Sequence, residues 1–321
     1  MRILITGGAG FIGSYLAESL LNDGYEVTVI DNLSTGSKDN ISHLEINQRF
    51  KLVVGDILDY KSMLKYVSEC DCVYHLAAAV GVKYVLENQL DSLITNVRGT
   101  EIVLDLAHVF NKKIFFSSSS EVYGKNGGSK SFKETDDRTL GAVNISRWGY
   151  AFSKGFDEFL AVAYHRSKGL PVVVGRLFNI CGPKQSPHYG MVIPRFVQQA
   201  LKNEPITVYG DGNQVRSFTY ITDAVAAIKA IMAEKEAEGD VFNIGSCESI
   251  SILELAEKIK AFSHSSSQIR LVPYEQAYDH NFEDMFYRVP DISKIEKLIG
   301  PFANLKLDAM IEKIINHYRG N

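Results

Sequence analysis

One short stretch near the N-terminus constrains this chain more than any other: Thr6-Gly7-Gly8-Ala9-Gly10-Phe11-Ile12-Gly13. Its glycines are spaced G-x-x-G-x-x-G between a short β-branched run and a helix-period stretch. In such a strand–turn–helix unit the first glycine permits the tight turn and the second lets a pyrophosphate approach the backbone. The third lets the helix pack on the strand. The helix N-terminus adds free N–H groups and a partial positive charge. Asp31 closes the next candidate strand, where an acid can accept both adenosine ribose hydroxyls. A carboxylate there repels a 2′-phosphate, so NAD is expected in preference to NADP. Asp56, after the third strand, is placed either to meet the adenine edge or to cap a helix.

Strand candidates fall at residues 3–6, 26–30, 51–54, 72–76, 113–117 and 171–176, several apolar at consecutive positions, as suits strands covered on both faces. Helical stretches lie between them, at 12–22, 60–69, 93–110 and 150–167. This alternation implies an α/β fold with a Rossmann-type, doubly wound parallel sheet. After Arg176 the rhythm breaks. Residues 179–190 carry Gly182, Pro183, Pro187 and Gly190 and read as an extended loop. Helices are expected at 223–237 and 252–262 with a strand at 241–244 between them, and 276–290 has no clear period. The expected division is an NAD-binding domain over 1–178 and a smaller substrate-binding lobe over 179–321, partly interleaved with the first.

The 321 residues, 45% hydrophobic and 22% charged, suit an ordinary globular protein. A net charge of −4 gives no footprint for nucleic acid or an anionic membrane, so an anionic substrate needs locally placed arginines. The four cysteines, Cys70, Cys72, Cys181 and Cys247, are too few and scattered for a disulfide framework. No second pair completes a metal site around Cys70 and Cys72, so buried thiols and no metal are expected. No apolar run approaches the ~20 residues that cross a bilayer, and nothing reads as a signal peptide. The expected location is the cytoplasm.

Tyr150-Ala151-Phe152-Ser153-Lys154 is Y-x-x-x-K. Residues four apart share a helix face, so phenol and ammonium point the same way. A phenol with its ordinary pKa of about 10 is a poor base at neutral pH. A neighbouring lysine and the positive nicotinamide ring would favour the phenolate, letting Tyr150 remove a hydroxyl proton as hydride passes to NAD. The motif alone is common. Its order in the chain matters, because it follows the glycine turn and the run Ser117-Ser118-Ser119-Ser120-Glu121. Carboxyl ends of parallel strands face the ligand crevice, so these hydroxyls and Glu121 are expected in the site.

Together these features resemble the extended short-chain dehydrogenase/reductase family of nucleotide-sugar epimerases, dehydratases and decarboxylases. The likeness covers nearly the whole chain. It includes His75-Leu76-Ala77-Ala78, Asn96 with Gly99-Thr100, Arg176-Leu177-Phe178-Asn179 and Arg216-Ser217-Phe218-Thr219-Tyr220. It continues through Pro205-Ile206-Thr207-Val208-Tyr209-Gly210-Asp211-Gly212 and Arg288-Val289-Pro290-Asp291. The resemblance implies that Gly7, Gly10, Phe11, Ile12 and Gly13 hold NAD with Asp31, Asn32, Asp56 and Ile57. Leu76, Ala77, Ala78, Asn96, Tyr150 and Lys154 complete that set. Asn179 and Val192 would meet the nucleotide-sugar. Arg216 and Arg288 would pair with its diphosphate or acidic group, since a guanidinium makes bidentate contacts to either.

Members of the family share oxidation at C4 and diverge afterwards. In the three residues before Val122-Tyr123-Gly124, dehydratases resemble Thr-Asp-Glu, galactose-type 4-epimerases Ser-Ala-Thr and UDP-glucuronate decarboxylases Thr-Ser-Glu. Ser119-Ser120-Glu121 lacks the dehydration acid and nearly matches the decarboxylases. Arg147-Trp148-Gly149-Tyr150 and Tyr287-Arg288-Val289-Pro290 resemble the UDP-glucuronate decarboxylase domain of the bacterial aminoarabinose pathway. The resemblance therefore implies Tyr150, Lys154, Ser119, Ser120, Glu121 and Arg288 as catalytic residues. Ser119 and Tyr150 would hold the C4 oxygen, while Ser120, Glu121 and Arg288 surround the carboxylate. Glu121 is expected to be partly protonated beside that negative charge.

Two alternatives stay open. A UDP-hexose or UDP-hexuronate 4-epimerase needs only a tolerant pocket, and Glu121 does not exclude one. A catalytically silent NAD(H)-sensing protein would have no use for an intact Tyr150, Lys154 and serine set. A homodimer through a four-helix bundle is expected, because Phe152, Phe156, Phe159, Leu160 and Ala163 offer more apolar surface than one sheet face can cover.

Overall fold

The computed structural model describes residues 1–125, 130–186, 191–277 and 283–320. Strands β1 (Arg2–Thr6), β2 (Glu26–Asp31), β3 (Phe50–Val54), β4 (Cys72–His75), β5 (Lys113–Ser119) and β6 (Val172–Leu177) alternate with helices. These are α1 (Phe11–Asn22), α2 (Tyr60–Glu69), α3 (Val82–Glu87), α4 (Gln89–Val109) and α5 (Arg147–Lys168). The strands form one parallel sheet in the order β11-β6-β5-β4-β1-β2-β3, its far edge closed by β11 (Asp240–Ile244). The chain winds outward in both directions from β1 and β4. The crevice that opens at the carboxyl ends of those two strands is where such sheets bind ligands.

Strand residues alternate between two apolar layers. Ile3 and Ile5 pack with α1 and with α7 (Ile221–Ala233), through Leu16, Ala17, Ala224 and Ile228. Leu4, Val73 and Phe116 face α2, α4 and α5 through Met63, Val103 and Ala161. Both faces are covered, so the strands read as continuous apolar runs. Asp59 caps α2 by accepting from the Lys61 and Ser62 backbone N–H groups. Gly169, left-handed at φ 70, ends α5 after three basic residues in its last turn.

A further apolar core gathers α6 (Val192–Leu201), β8 (Ile206–Tyr209), α8 (Ile252–Phe262) and α11 (Leu307–Arg319) around Phe196, Val208, Leu255 and Met310. Two short parallel pairs sit nearby: β7 (Ile180–Cys181) with β10 (Thr219–Tyr220), and β13 (Ile269–Val272) with β8. A small three-stranded sheet orders β12 (Ser249–Ser251), β9 (Val215–Ser217) and β14 (Tyr287–Arg288). Helices α9 (Tyr274–Ala277) and α10 (Ser293–Ile299) complete the described elements.

Four departures from the sequence expectation matter. Helix α5 begins at Arg147, so Arg147 and Trp148 share the rigid element that carries Tyr150. Helix α7 stops at Ala233, and a turn through Gly239 at φ 79 leads into β11. The stretch 276–290, without period, contains β14, which pairs with β9; residues 187–190 and 278–282 of the expected loops lie outside the described residues. Cys70, Cys72 and Cys181 are buried, but Cys247 is exposed, against the expectation of buried thiols. Among the described residues no helix is long and apolar enough to cross a membrane, and no cluster of His, Cys, Asp and Glu could hold a metal ion.

Candidate active site

A cavity of roughly 530 Å³ runs from the glycine turn to the arginines of β9 and β14. At its first end Gly7 has φ 73, and a Cβ there would stand 2.7 Å from the Ala77 backbone. A Cβ on Gly13 would stand 2.3 Å from the Gly7 carbonyl oxygen, so only glycine brings helix and turn this close. Gly10 caps α1 without any side chain, leaving the cradle before the first helical N–H groups open. Asp31 lines the same cavity; its Oδ2 accepts from the Ala9 N–H at 2.9 Å and its Oδ1 from the Leu33 N–H at 2.8 Å. Burial raises its carboxyl, and these backbone bonds oppose the rise.

Phe11, Ile12, Asn32, Ile57, Leu76, Ala77 and Ala78 also line the cavity. Asp56 and Asn96 do not. Asp56 accepts from the Leu58 N–H and from the Asn32 amide, each at 2.9 Å, which turns it into a loop brace. Asn96 is buried on α4, where its Oδ1 accepts from the Ala79 N–H at 2.8 Å and its amide donates to Ser153 Oγ. It fixes the segment after β4 against α5 from behind the wall.

Tyr150, Lys154, Ser119, Ser120 and Glu121 converge at the middle of the cavity, brought there by α5 and the end of β5. The Lys154 ammonium lies 4.7 Å from the Phe116 ring centre and donates to the Ser117 carbonyl at 3.0 Å. Burial brings its pKa down to about 8, while Asp157 and Glu158 favour its charge. The Tyr150 phenol is raised, first by burial and then by Glu121, with Ser119 opposing. The sequence expectation is a phenol lowered by its lysine; burial and the Glu121 charge instead set the direction at this ring. Two of the four serines also turn away from the site. Ser117 Oγ donates to the His75 carbonyl at 3.0 Å, and Ser118 Oγ bonds Glu158.

The far end is an ion network. The Arg147 guanidinium donates to both Glu121 oxygens, at 3.2 and 3.0 Å, and meets Asp284 at 2.9 Å. Arg288 pairs with Glu121 and donates to the side-chain oxygen Oδ1 of Asn179, while Arg216 meets Asp284 at 3.0 Å. Burial alone would raise the Glu121 carboxyl, but Arg147 and then Arg288 override it and hold the group at about 2. These arginines therefore hold Glu121 ionised. Arg147, which enters the sequence reading only within the stretch Arg147-Trp148-Gly149-Tyr150 that carries the family likeness, is the largest cause of this lowering. Val192 lines the cavity with Tyr209, which lies in the family-like stretch 205–212 without a role there, and with Arg195 and Tyr274, which no motif singled out. Asp284 was equally hidden, lying in a stretch without periodicity.

A family profile described as GDP-mannose 4,6 dehydratase matches residues 4–314. The chain belongs to this family. Among its relatives is the UDP-N-acetyl-alpha-D-glucosaminuronate decarboxylase of Bacillus cytotoxicus, 43% identical over 99% of this chain and 98% of the relative. Arabidopsis thaliana UDP-glucuronic acid decarboxylase 1 is 36% identical over 99% of this chain and 70% of its own length. Among solved structures, a Bacillus cereus UDP-glucuronic acid 4-epimerase, in complex with UDP-glucuronic acid and NAD, superposes with a TM-score of 0.88. It is 31% identical and covers 100% of this chain and 99% of the other. The family reading drawn from the glycine turn, Y-x-x-x-K and the serine run is thereby confirmed, and the chain is an extended short-chain dehydrogenase/reductase.

Proposed function

We propose that this enzyme is an NAD-dependent decarboxylase of a UDP-linked hexuronic acid, working through a 4-keto sugar. The observation that carries the reading is the joining of Tyr150 and Lys154, in one cavity, to Glu121 clamped between Arg147 and Arg288. An uncharged sugar has no need of so many guanidinium groups beyond those for its diphosphate. The decarboxylase relatives, matched over nearly the whole chain, support the same reading.

The glycine turn, the open cradle at Gly10 and the buried Asp31 fit a dinucleotide. When bound, NAD supplies the hydride acceptor for C4 and returns the hydride afterwards. The residues of the chain do the rest. Ser119 and Tyr150 hold the C4 oxygen, and Tyr150 takes its proton. A ketone at C4 makes the sugar a β-keto acid, whose C5–C6 electron pair collapses into an enolate as carbon dioxide leaves. Ser119 and Tyr150 stabilise the charge that develops on that oxygen. Arg216, Arg288 and Asn179 receive the diphosphate or the acid, and Ser120 lies beside them. A hexuronate carboxylate that engages Arg147 or Arg288 weakens their hold on Glu121, so its pKa climbs, it takes up a proton from water and can pass that proton to C5. We assign cofactor binding to the large sheet and substrate binding to the lobe built on α6, α8 and α11.

Incubation with NAD and either UDP-glucuronate or UDP-N-acetylglucosaminuronate should release carbon dioxide and a UDP-pentose. A C4 epimer without carbon dioxide from both would overturn the reading. That second outcome is the one suggested by the Bacillus cereus neighbour, and it keeps the epimerase in view.

Asp31→Ala should weaken NAD binding by roughly 10- to 100-fold, the value of hydrogen bonds to a charged acceptor, and leave NADP affinity nearly unchanged. Calorimetric titration of both cofactors checks this. Wild-type protein that prefers NADP would remove Asp31 from its role.

We also propose that the enzyme is a homodimer joined through α4 and α5. Phe152, Phe156 and Phe159 stand 64%, 45% and 71% exposed on one stripe of α5, an apolar face that a lone chain leaves in water. Sedimentation at micromolar concentration should give a dimer for wild type and a monomer for Phe159→Glu. A monomeric wild type sinks the proposal.

A further inference from the structure

Behind Lys154 lies a carboxylate to which the mechanism above gives no task. Asp157 stands one helical turn beyond Lys154 on α5, is 0% exposed and projects into the seam with α4. Its Oδ2 accepts from the Thr100 hydroxyl at 3.2 Å, and its Oδ1 has no hydrogen-bond partner. Thr100 is the end of a buried chain. His75 Nε2 lies 3.2 Å from Thr100 Oγ1, and His75 Nδ1 lies 2.7 Å from Thr6 Oγ1. Thr100 has a single hydroxyl proton and spends it on Asp157, so the histidine must donate through Nε2 and accept from Thr6 through Nδ1. Every donor in the chain thus points towards the Asp157 carboxylate.

Charged and titratable groups face the lysine from several elements. On α5, Glu158 is taken up by Arg176 and Arg138, and Tyr150 is neutral in its resting form. On β4, His75 is fully buried and stays neutral, its pKa down at about 3 through burial and then Lys154. β5 offers the Ser117 carbonyl and the Phe116 ring, and α4 offers the Thr100 hydroxyl. Asp157 is the nearby carboxylate that no arginine compensates among the described residues. An ammonium buried without a counter-charge loses its proton, as burial already drives Lys154 to do.

We propose that Asp157 is the counter-charge of Lys154 and a positioning residue for the Tyr150 base: it keeps the lysine protonated and so sets the alkaline end of the pH range over which C4 is oxidised. The inference rests on the reading that Tyr150 and Lys154 carry out that oxidation. Its sign follows directly. Burial raises the Asp157 carboxyl itself to about 7, with Lys154 and the Thr100 hydroxyl opposing, so it is negative across the alkaline limb. There it raises the lysine's pKa, and removing that charge lets the ammonium deprotonate at lower pH. The phenolate then loses its stabilising neighbour, and the rate falls earlier as pH rises.

The test is the pH profile of product formation from UDP-glucuronate, from about pH 6 to about pH 10, for wild type, Asp157→Asn and Thr100→Val. Asp157→Asn should move the alkaline limb down by about one pH unit, lowering kcat above neutrality while KM and NAD affinity hold. Thr100→Val removes the hydroxyl that favours the ionised carboxylate, so its limb should move the same way by less; it carries the test if Asp157→Asn does not fold. An unmoved limb in a folded, NAD-binding variant, or a limb moved to higher pH, overturns the proposal. A C4 epimer in place of the pentose overturns the decarboxylase reading alone. The alkaline limb of epimerisation, which also starts by oxidising C4, then decides between the same two results.

Discussion

Replacing Tyr150 by phenylalanine is expected to lower turnover by roughly 10²–10⁴-fold while leaving NAD affinity at the wild-type value. The hydroxyl is the only atom removed, and it sits with Ser119 at the middle of the cavity, well away from the glycine turn and Asp31 that face the dinucleotide. The loss should be large because the protein invests in a phenol that is hard to ionise. Burial and the Glu121 charge both oppose the phenolate, so a base exists only when the lysine and the bound ligands tip the balance. The stability of the fold should not change, since the phenyl ring keeps the packing. Steady-state rates and NAD titration on the same sample check both halves. Wild-type turnover in the variant would take Tyr150 out of the mechanism.

Glu158→Ala is expected to destabilise the protein by about 3–5 kcal/mol, the usual cost of leaving a buried charge without its partner. Glu158 is 1% exposed and Arg176 2%. The Arg176 fork donates to both Glu158 oxygens, through Nε at 3.0 Å and Nη2 at 2.8 Å. Arg138 and Ser118 meet the same carboxylate. Alanine removes every one of these acceptors and keeps the guanidinium of β6 enclosed. The consequence reaches the site, because this knot fastens α5 to β5 and β6 and so holds Tyr150 against Ser119. Urea unfolding of the two proteins measures the difference. A change below about 1 kcal/mol, the worth of an exposed pair, would mean that water reaches Arg176.

The large sheet was readable because its strands are covered on both faces. Apolar runs such as Cys72–His75 and β-branched runs such as Val172–Leu177 announce themselves without any knowledge of partners. The first end of the site was readable for a related reason: backbone does its work, and backbone demands glycine at fixed spacing. Gly7 and Gly13 have no substitutes at their contact distances. The far end was not readable in the same way. Arg147, Arg216 and Asp284 come from three separate stretches of chain, and a charged side chain on a helix or short strand looks the same whether it faces water or another charge. Asp56 and Asn96 show the converse. Their positions carry a cofactor role by resemblance, while local hydrogen bonds to Leu58, Asn32 and Ala79 engage the same polar atoms. A protonation state is harder still, since that of Glu121 depends on two arginines distant in sequence from each other.

Helix α5 strings the whole chemical apparatus on a single rod. Its inward stripe carries Arg147, Tyr150, Lys154 and Asp157 in succession, and its opposite stripe carries Phe152, Phe156 and Phe159. Groups on one rod cannot be retuned one at a time: any tilt that moves the base towards the sugar also moves the guanidinium, the ammonium and the aspartate behind it. A load placed on the phenylalanine face would be felt at all four. Divergence towards a new sugar therefore has its freest ground elsewhere, in the strands of Arg216 and Arg288 and the stretch before them, where one side chain can change without disturbing the oxidation of C4.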